Sequence, residues 1–260
     1  LAVNSGTSGE LAKDVFFAYR GYRMNYYAVT AMLARVYCWA GEYGNAYKEA
    51  KEVVDATYST GSTSTASCFN FSNSLTTNRK DYNSIIMTFF KSTCYEDYLP
   101  YMTKGNDVVL VVNTTNLFGD EAGADDRNLD LFGDWDGGDI KYSFKYDIKE
   151  GTSGTDMIPA IRLSEMYYIM GEYFAYKDEF SKAGEMLDKV RYARGISTTN
   201  LASSIGSLEV FHTHLIKEMR REFVGEGQMF FQYKRLDQKP KDNVAVSYTH
   251  LRAHETLANL

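Results

Sequence analysis

The residues best suited to contact a ligand lie in the glycine-rich segment 133–139, whose sequence is GDWDGGD. It places Trp135 between Asp134 and Asp136. An indole ring can stack on the face of a sugar, while neighbouring carboxylates accept hydrogen bonds from its hydroxyl groups. We therefore predict Trp135, Asp134 and Asp136 as ligand-binding residues. The alternative is a tight turn in which Trp135 packs inward.

A second aromatic candidate is the segment 95–101, with sequence YEDYLPY, which we interpret as a loop before a strand. Tyr98 and Tyr101 there are predicted to form another binding platform, because tyrosine combines a flat apolar face with a polar tip. The alternative is partial burial of these rings against the scaffold.

The sequence gives little support for catalysis or metal binding. Asp134 and Asp136 could pass for a glycosidase pair, but alternate residues of a flexible loop fix no separation, and no apolar pocket raises one pKa. The EF-hand pattern fails at Gly138 and Asp139, although a looser calcium site stays open. The chain contains no GxSxG, HExxH or phosphate-binding glycine loop. We predict a protein that is not an enzyme and has no cofactor; a glycoside hydrolase is the remaining catalytic alternative.

Several charged residues recur at helical spacing and resemble a catalytic cluster at first sight. We predict instead a structural salt-bridge network that ties the last long helix to the helical hairpin before it. Its proposed members are Arg162, Glu165, Glu172, Arg220, Arg221 and Glu222.

The scaffold that carries these residues is predicted to contain helical hairpins, because two stretches of the chain share one pattern. Aligning Ala34 with Gly171 brings the later positions into step: Tyr37 with Phe174, Gly41 with Asp178, Tyr43 with Phe180 and Ala46 with Ala183. Small residue, aromatic, turn, aromatic and small residue is the spacing of a tetratricopeptide-type repeat. We predict a mainly α fold of such hairpins with an irregular, partly β insertion.

The predicted layout is one domain over residues 1–245. It comprises a helical hairpin at 24–57, a loop-rich insertion at 58–157 and a C-terminal helical part at 158–237, whose helices begin at Pro159, Phe180 and about Ser207. Strands are predicted at 84–90, 108–112 and 141–148. The segment 246–260 resembles translated adapter sequence and is predicted to be a non-native tail.

Composition narrows the class of partner. The 260 residues carry a net charge of −6 without a basic stripe, which argues against nucleic acid. Aromatic residues make up 15%, enough for both a core and a recognition surface. The odd number of cysteines, three, gives no disulfide framework. The chain begins without Met, and we expect a fragment that lacks its N-terminus.

Four segments in the second half, with one in the first hairpin, resemble the SusD/RagB family in their order along the chain. They are IRLSEMYYI at 161–169, LDKVRYARG at 187–195, EMRREF at 218–223, EGQMFF at 226–231 and MLARVY at 32–37. The resemblance implies a SusD-like α-α superhelix. It also implies a surface-exposed lipoprotein of the cell outer membrane, with the lipid anchor in the missing N-terminus.

The same resemblance implies a non-catalytic function. Members bind oligo- or polysaccharides or other nutrients and act with a SusC-like TonB-dependent transporter. The alternative from another class is a helical-repeat adaptor that binds proteins and no small molecule. About 100 residues separate the two hairpins, which argues against a simple solenoid of consecutive units.

Overall fold

The computed structural model describes residues 24–60, 63–103, 106, 110–134, 137–147 and 156–238. The helices in these ranges are α1 (Tyr26–Trp39), α2 (Tyr43–Val54), α3 (Cys94–Met102), α4 (Thr114–Phe118), α5 (Asp126–Leu131), α6 (Leu163–Ala175), α7 (Phe180–Ala193), α8 (Leu208–Glu222) and α9 (Met229–Arg235). The strands are β1 (Thr57–Ser59), β2 (Thr65–Ser67), β3 (Ile85–Phe90), β4 (Val111–Asn113), β5 (Phe132–Asp134), β6 (Ile140–Ser143) and β7 (Met157–Arg162).

The two predicted hairpins, α1–α2 and α6–α7, close with the same backbone hydrogen bond. Glu42 N donates to Tyr37 O over 2.9 Å, and Glu179 N donates to Phe174 O over 2.9 Å. Glu42 and Glu179 also share nearly identical backbone angles, with φ of −86° at both. Equivalent positions of the aligned sequences therefore build equivalent turns, and the predicted tetratricopeptide-like arrangement is confirmed.

The turn residue before each of these glutamates adopts a left-handed backbone. Gly41 has φ +77°, and its counterpart Asp178 has φ +58°. Glycine adopts this conformation without steric cost. Other L-residues adopt it at a cost in free energy, which is smaller for aspartate than for most. The repeat thus keeps one geometry with two residue types.

The hairpins stack on each other although the insertion separates them in sequence. Helix α2 packs on α6, with the Tyr43 and Tyr176 rings stacked at 3.9 Å between centroids and Tyr47 stacked on Tyr173 at 4.4 Å. Helix α8 then packs on α7, which gives the order α1, α2, α6, α7, α8. The hairpins are not consecutive units in sequence, yet α2 and α6 pack directly, because the insertion begins after α2 and ends before α6.

Small residues lie where the helices cross, as the repeat pattern predicts. Ala34, Ala46 and Ala183 are completely buried. A Cβ at Gly171 would stand 3.2 Å from the Phe211 ring, so α6 approaches α8 closely. Helix α8 buries an apolar face as well, since Phe211, Leu215, Met219 and Phe223 lie in one core with residues of α6 and α7.

The insertion contains more regular structure than its loop-like sequence suggests. Strand β6 lies between β4 and β5 in a three-stranded antiparallel sheet, and β1 pairs with β2. The strand predicted at 84–90 is confirmed as β3, and the one predicted at 141–148 is the shorter β6. The strand predicted at 108–112 lies partly outside the described residues; β4 begins at Val111. Helices α3, α4 and α5 were not predicted.

The prediction that a helix begins at Pro159 is wrong. Pro159 lies within β7, opposite Thr88 of β3, and α6 begins four residues later at Leu163. Proline fixes φ and lacks an N–H, which suits a first helical turn but is equally acceptable on an edge strand. Among the described residues β7 pairs only with β3, so its other edge needs no donor from Pro159.

Candidate functional site

The predicted binding loop follows β5, and only part of it is described. Asp134 ends β5, where it is exposed and pairs with Lys141 of β6. A Cβ on the preceding Gly133 would lie 2.4 Å from the Phe144 ring, so a larger residue there would force that ring to move. Trp135 and Asp136 lie outside the described residues, and their binding role stays a prediction.

The predicted tyrosine platform lies on a helix instead of a loop, since 95–101 falls within α3. The Tyr98 ring packs against Tyr146 at 4.7 Å between centroids, and burial raises the pKa of Tyr98. Tyr101 is exposed. Tyr98 is therefore half-buried against the scaffold while Tyr101 is accessible, and the binding role of both stays a prediction.

The charged residues at helical spacing form buried ion pairs. Arg221 lies 2.9 Å from Glu218 and 2.7 Å from Glu121, while Glu222 lies 2.6 Å from Arg194 and 3.2 Å from Arg127. All of these side chains except that of Glu121 are at least 97% buried. They connect α8 to α7 and to the insertion.

The remaining predicted members pair with elements that were not anticipated. Arg162 lies 2.8 Å from Glu226 and 3.6 Å from Glu222. Glu165 pairs with Arg35 of α1 at 2.6 Å, and Glu172 pairs with Arg235 of α9 at 2.6 Å. Glu165 therefore connects α6 to α1, and Glu172 connects α6 to α9.

Arg220 does not belong to this network within the described ranges. It makes no ion pair to a described residue and is half-buried on another face of α8. The helical period explains the difference, because residues 218, 221 and 222 share one face and residue 220 points away from it.

The electrostatics of the network indicate structure instead of catalysis. Burial alone would raise the pKa of Glu222, but the guanidinium groups of Arg194, Arg127 and Arg162 outweigh it and hold that pKa well below its usual value. A carboxylate kept charged in this way, and buried away from solvent, neither donates nor accepts a proton at neutral pH. The described part of the chain also contains no group of three residues arranged to hold a metal ion.

Sequence reasoning missed an open groove between α1, β7 and α9. Its walls include three exposed aromatic side chains, Trp39, Phe89 and Phe231, at 45%, 58% and 52% exposure. The groove has a volume of about 500 Å³, and the Trp39 and Phe231 ring centroids are 6.3 Å apart. Exposed aromatic rings around a concavity are typical of a binding surface.

Two buried polar side chains of this groove, Glu226 and Gln228, each have an atom without a hydrogen-bond partner among the described residues. The Glu226 side chain is fully buried, with Oε1 lying 2.7 Å from Lys145 Nζ and 2.8 Å from Arg162 Nε, off the ideal hydrogen-bonding direction. Its Oε2, like Nε2 of Gln228, has no hydrogen-bond partner among the described residues. Buried polar atoms in proteins are nearly always satisfied, by protein groups or by ordered water. The groove thus offers an acceptor, a donor and aromatic walls.

The sequence contained only a weak sign of this groove. Phe89–Phe90 and Phe230–Phe231 are consecutive aromatic pairs, in which one ring of each is expected to face solvent. Only the pairing of β3 with β7 and the return of α9 to α1 bring these distant segments together.

Comparison with known proteins identifies the family. The chain matches the SusD family over residues 18–256 and therefore belongs to it. This match reaches into the segment 246–260, whose origin stays a prediction. No curated protein matches the sequence.

Three solved structures illustrate the shared fold. A SusD superfamily protein from Bacteroides thetaiotaomicron VPI-5482 is 24% identical with a TM-score of 0.61, covering 84% of this chain and 51% of that one. A SusD-like carbohydrate binding protein from Bacteroides vulgatus ATCC 8482 is 20% identical, with TM-score 0.59 and coverage of 84% and 46%. Surface glycan-binding protein A from Bacteroides uniformis is 17% identical, with TM-score 0.57 and coverage of 86% and 52%. The chain thus spans about half the length of these proteins.

Proposed function

We propose that this protein binds a glycan or a related nutrient at the bacterial outer-membrane surface, without converting it, and delivers it to a SusC-like TonB-dependent transporter. Membership of the SusD family supports this proposal. So does the fold shared with proteins described as a carbohydrate binding protein and a surface glycan-binding protein. Within the described part of the chain, no helix is long and apolar enough to cross a membrane. Attachment is proposed to rest on a lipid anchor.

The groove of Trp39, Phe89 and Phe231 is the observation that carries the proposal. A sugar ring presents an apolar face that an aromatic ring can cover, and its hydroxyl groups both donate and accept hydrogen bonds. One hydroxyl can donate to Glu226 Oε2 while another accepts from Gln228 Nε2. Both atoms are buried without a hydrogen-bond partner in the described structure, so the ligand would satisfy groups that the fold leaves unpaired.

The loop at 133–139 is proposed as a second contact region. Asp134 is exposed at the end of β5 and can accept hydroxyl hydrogen bonds. Trp135 and Asp136 keep the roles predicted from sequence, and Tyr101 is the accessible tyrosine of α3.

Calorimetric titration of the 260-residue chain with a panel of polysaccharides tests the binding function. Phe231→Ala is expected to weaken binding about tenfold, because the loss of one stacking contact costs about 1.4 kcal/mol. Phe230→Ala is the matched control, because Phe230 is 53% exposed but does not line the groove. Equal loss in both variants, or in neither, would reject the groove. Trp135→Ala tests the loop in the same way.

The transporter partner needs a separate experiment. Genes beside the parent gene should encode a TonB-dependent transporter, and the two tagged proteins should co-purify from outer-membrane extracts. Separate elution of the two proteins under conditions that keep both folded would reject delivery while leaving glycan binding intact.

One observation favours the adaptor alternative. Helix α1 exposes Val29, Leu33 and Val36, which share one face at helical spacing. Such an aliphatic stripe is typical of helix–helix contact, and a stacked solenoid can continue through it. This function would be favoured if the chain binds no glycan on an array and captures a defined protein. Leu33→Glu should then abolish that capture.

A further inference from the structure

Arg220 differs from every other arginine in the described ranges because it alone makes no ion pair there. The paired arginines are Arg35, Arg79, Arg127, Arg162, Arg191, Arg194, Arg221 and Arg235. The protein carries an excess of acidic residues, 34 against 28 basic ones, so a partner for one more cation is not scarce. The unpaired guanidinium therefore indicates a place where an external anion can bind.

The side chain lines a separate cleft of about 220 Å³ between α4, α8 and α9. Lys217 lies one turn earlier on α8 and lines the same cleft, as do Asn116, Thr213 and Gln238. The Thr213 hydroxyl already donates to Glu209 O over 3.0 Å, so the donors left for a ligand are the Lys217 ammonium, the Arg220 guanidinium and the two side-chain amides. Two cations that line one cleft suit an oxyanion, for which charge-assisted hydrogen bonds are the strong ones. Leu117 and Ile216 add an apolar wall on which the body of a ligand can rest.

The carboxylate that pairs with Lys217 is also held by cations outside this cleft. Glu121 lies 3.3 Å from Lys217, but it also lies 2.7 Å from Arg221 and pairs with Arg191. These cations outweigh the effect of burial and lower the pKa of Glu121 to about 2. Glu121 is thus engaged by Lys217, Arg191 and Arg221, and it makes no ion pair with Arg220.

We propose that this cleft binds the anionic group of an acidic saccharide, a carboxylate or a sulfate ester. The saccharide part of this inference rests on the proposed function; the anion site does not. The cleft lies apart from the aromatic groove and shares no lining residue with it. It would make the protein select charged glycans over neutral ones.

Titration with inorganic sulfate, followed by NMR at constant ionic strength with chloride as reference, tests the anion site alone. Sulfate should shift signals of α8, and Arg220→Ala should weaken that binding about tenfold, the effect of one charge-assisted hydrogen bond. Lys189→Ala, which removes an exposed charge on α7, is the control and should change nothing. Sulfate binding that is absent, or that survives in Arg220→Ala, overturns the site.

Matched saccharides test the selection. Oligogalacturonate should bind more tightly than its methyl ester of equal length, and Arg220→Ala should remove that difference; chondroitin sulfate tests the sulfate ester. Equal binding of acid and ester by the native protein overturns the inference and leaves glycan binding standing. Arg220-dependent sulfate binding without any saccharide binding would uphold the anion site and reject the proposed function.

Discussion

At the scale of single residues, helix α8 places neighbours in opposite environments. Arg221 is buried among Glu218, Glu121 and Asp125, while Arg220 beside it faces a solvent-accessible cleft. Sequence spacing could predict that Glu218 and Arg221 pair, because they are one turn apart. It could not predict Glu121 or Asp125, which come from the insertion about 100 residues earlier and reach α8 only through tertiary folding.

Arg221→Ala is expected to destabilise the fold by about 3–5 kcal/mol, since it leaves buried carboxylates without their cation. Urea denaturation measures the loss. Arg220→Ala on the same helix should change the free energy of unfolding by less than about 0.5 kcal/mol. Binding of a neutral saccharide in the aromatic groove should survive both changes. Similar losses of stability in the two variants would show that the buried ion pairs of Arg221 do not make it more important for stability than Arg220.

The network also predicts loss of stability in acid. The pKa of Glu222 is lowered in the fold, and that of Glu121 is lowered to about 2, against 4.5 for a free glutamate. Between these values the unfolded chain binds more protons than the folded one, so the free energy of unfolding falls as pH drops from about 4.5 toward 2. Above about pH 5 these two groups contribute no slope.

Unfolding followed from pH 7 to pH 2.5 measures this effect. Glu222→Gln should lower stability at neutral pH and flatten the acid slope, because residue 222 no longer takes up a proton. Glu185→Gln, at an exposed position of α7, should keep the native slope. An unchanged slope in Glu222→Gln would contradict the assignment.

At the scale of elements, the local sequence determines where the two hairpins form, but it does not determine strand β7, which precedes the second hairpin. The turns were predictable because spacing, small residues and turn residues all favour one structure. Pro159 was misread because its local preference fits two structures, and its pairing with β3 some 70 residues away decides between them. Helices α3 to α5 are too short for a periodic pattern to identify them.

The turn at Asp178 gives a test of this local control. Asp178→Gly should stabilise the protein by about 0.5–1 kcal/mol, because glycine relieves the left-handed backbone at φ +58°. The reciprocal Gly41→Asp should cost about as much at φ +77°. Thermal unfolding of both variants measures the difference. A destabilised Asp178→Gly would mean that the aspartate side chain, and not the backbone angle, holds the turn.

At the scale of the whole molecule, the first and second hairpins should unfold together because aromatic rings join them. Tyr47 contacts both Tyr173 and Phe174 across the α2–α6 boundary. Tyr47→Ala should cost roughly 2 kcal/mol and keep one cooperative transition. Two separated transitions in the native protein, seen by calorimetry, would show that the hairpins do not form one core.

The general architecture followed from the order of motifs along the chain, whereas both concave surfaces required the tertiary structure. The aromatic groove joins α1 to segments that begin about 50 residues later, at Phe89, and end about 190 residues later, and the Arg220 cleft joins α4, α8 and α9. Residue types alone predict aromatic recognition and favour Trp135. They do not predict the groove of Trp39, Phe89 and Phe231, because only the tertiary structure brings these rings together.

The decisive experiment is to titrate the protein with a polysaccharide that it binds and to recover the polysaccharide afterwards. Binding should be saturable, fall about tenfold in Phe231→Ala and stay at native strength in Phe230→Ala, and the recovered polysaccharide should keep its original length. Native-strength binding by Phe231→Ala, or recovery of shortened chains with new reducing ends, would contradict the proposed function.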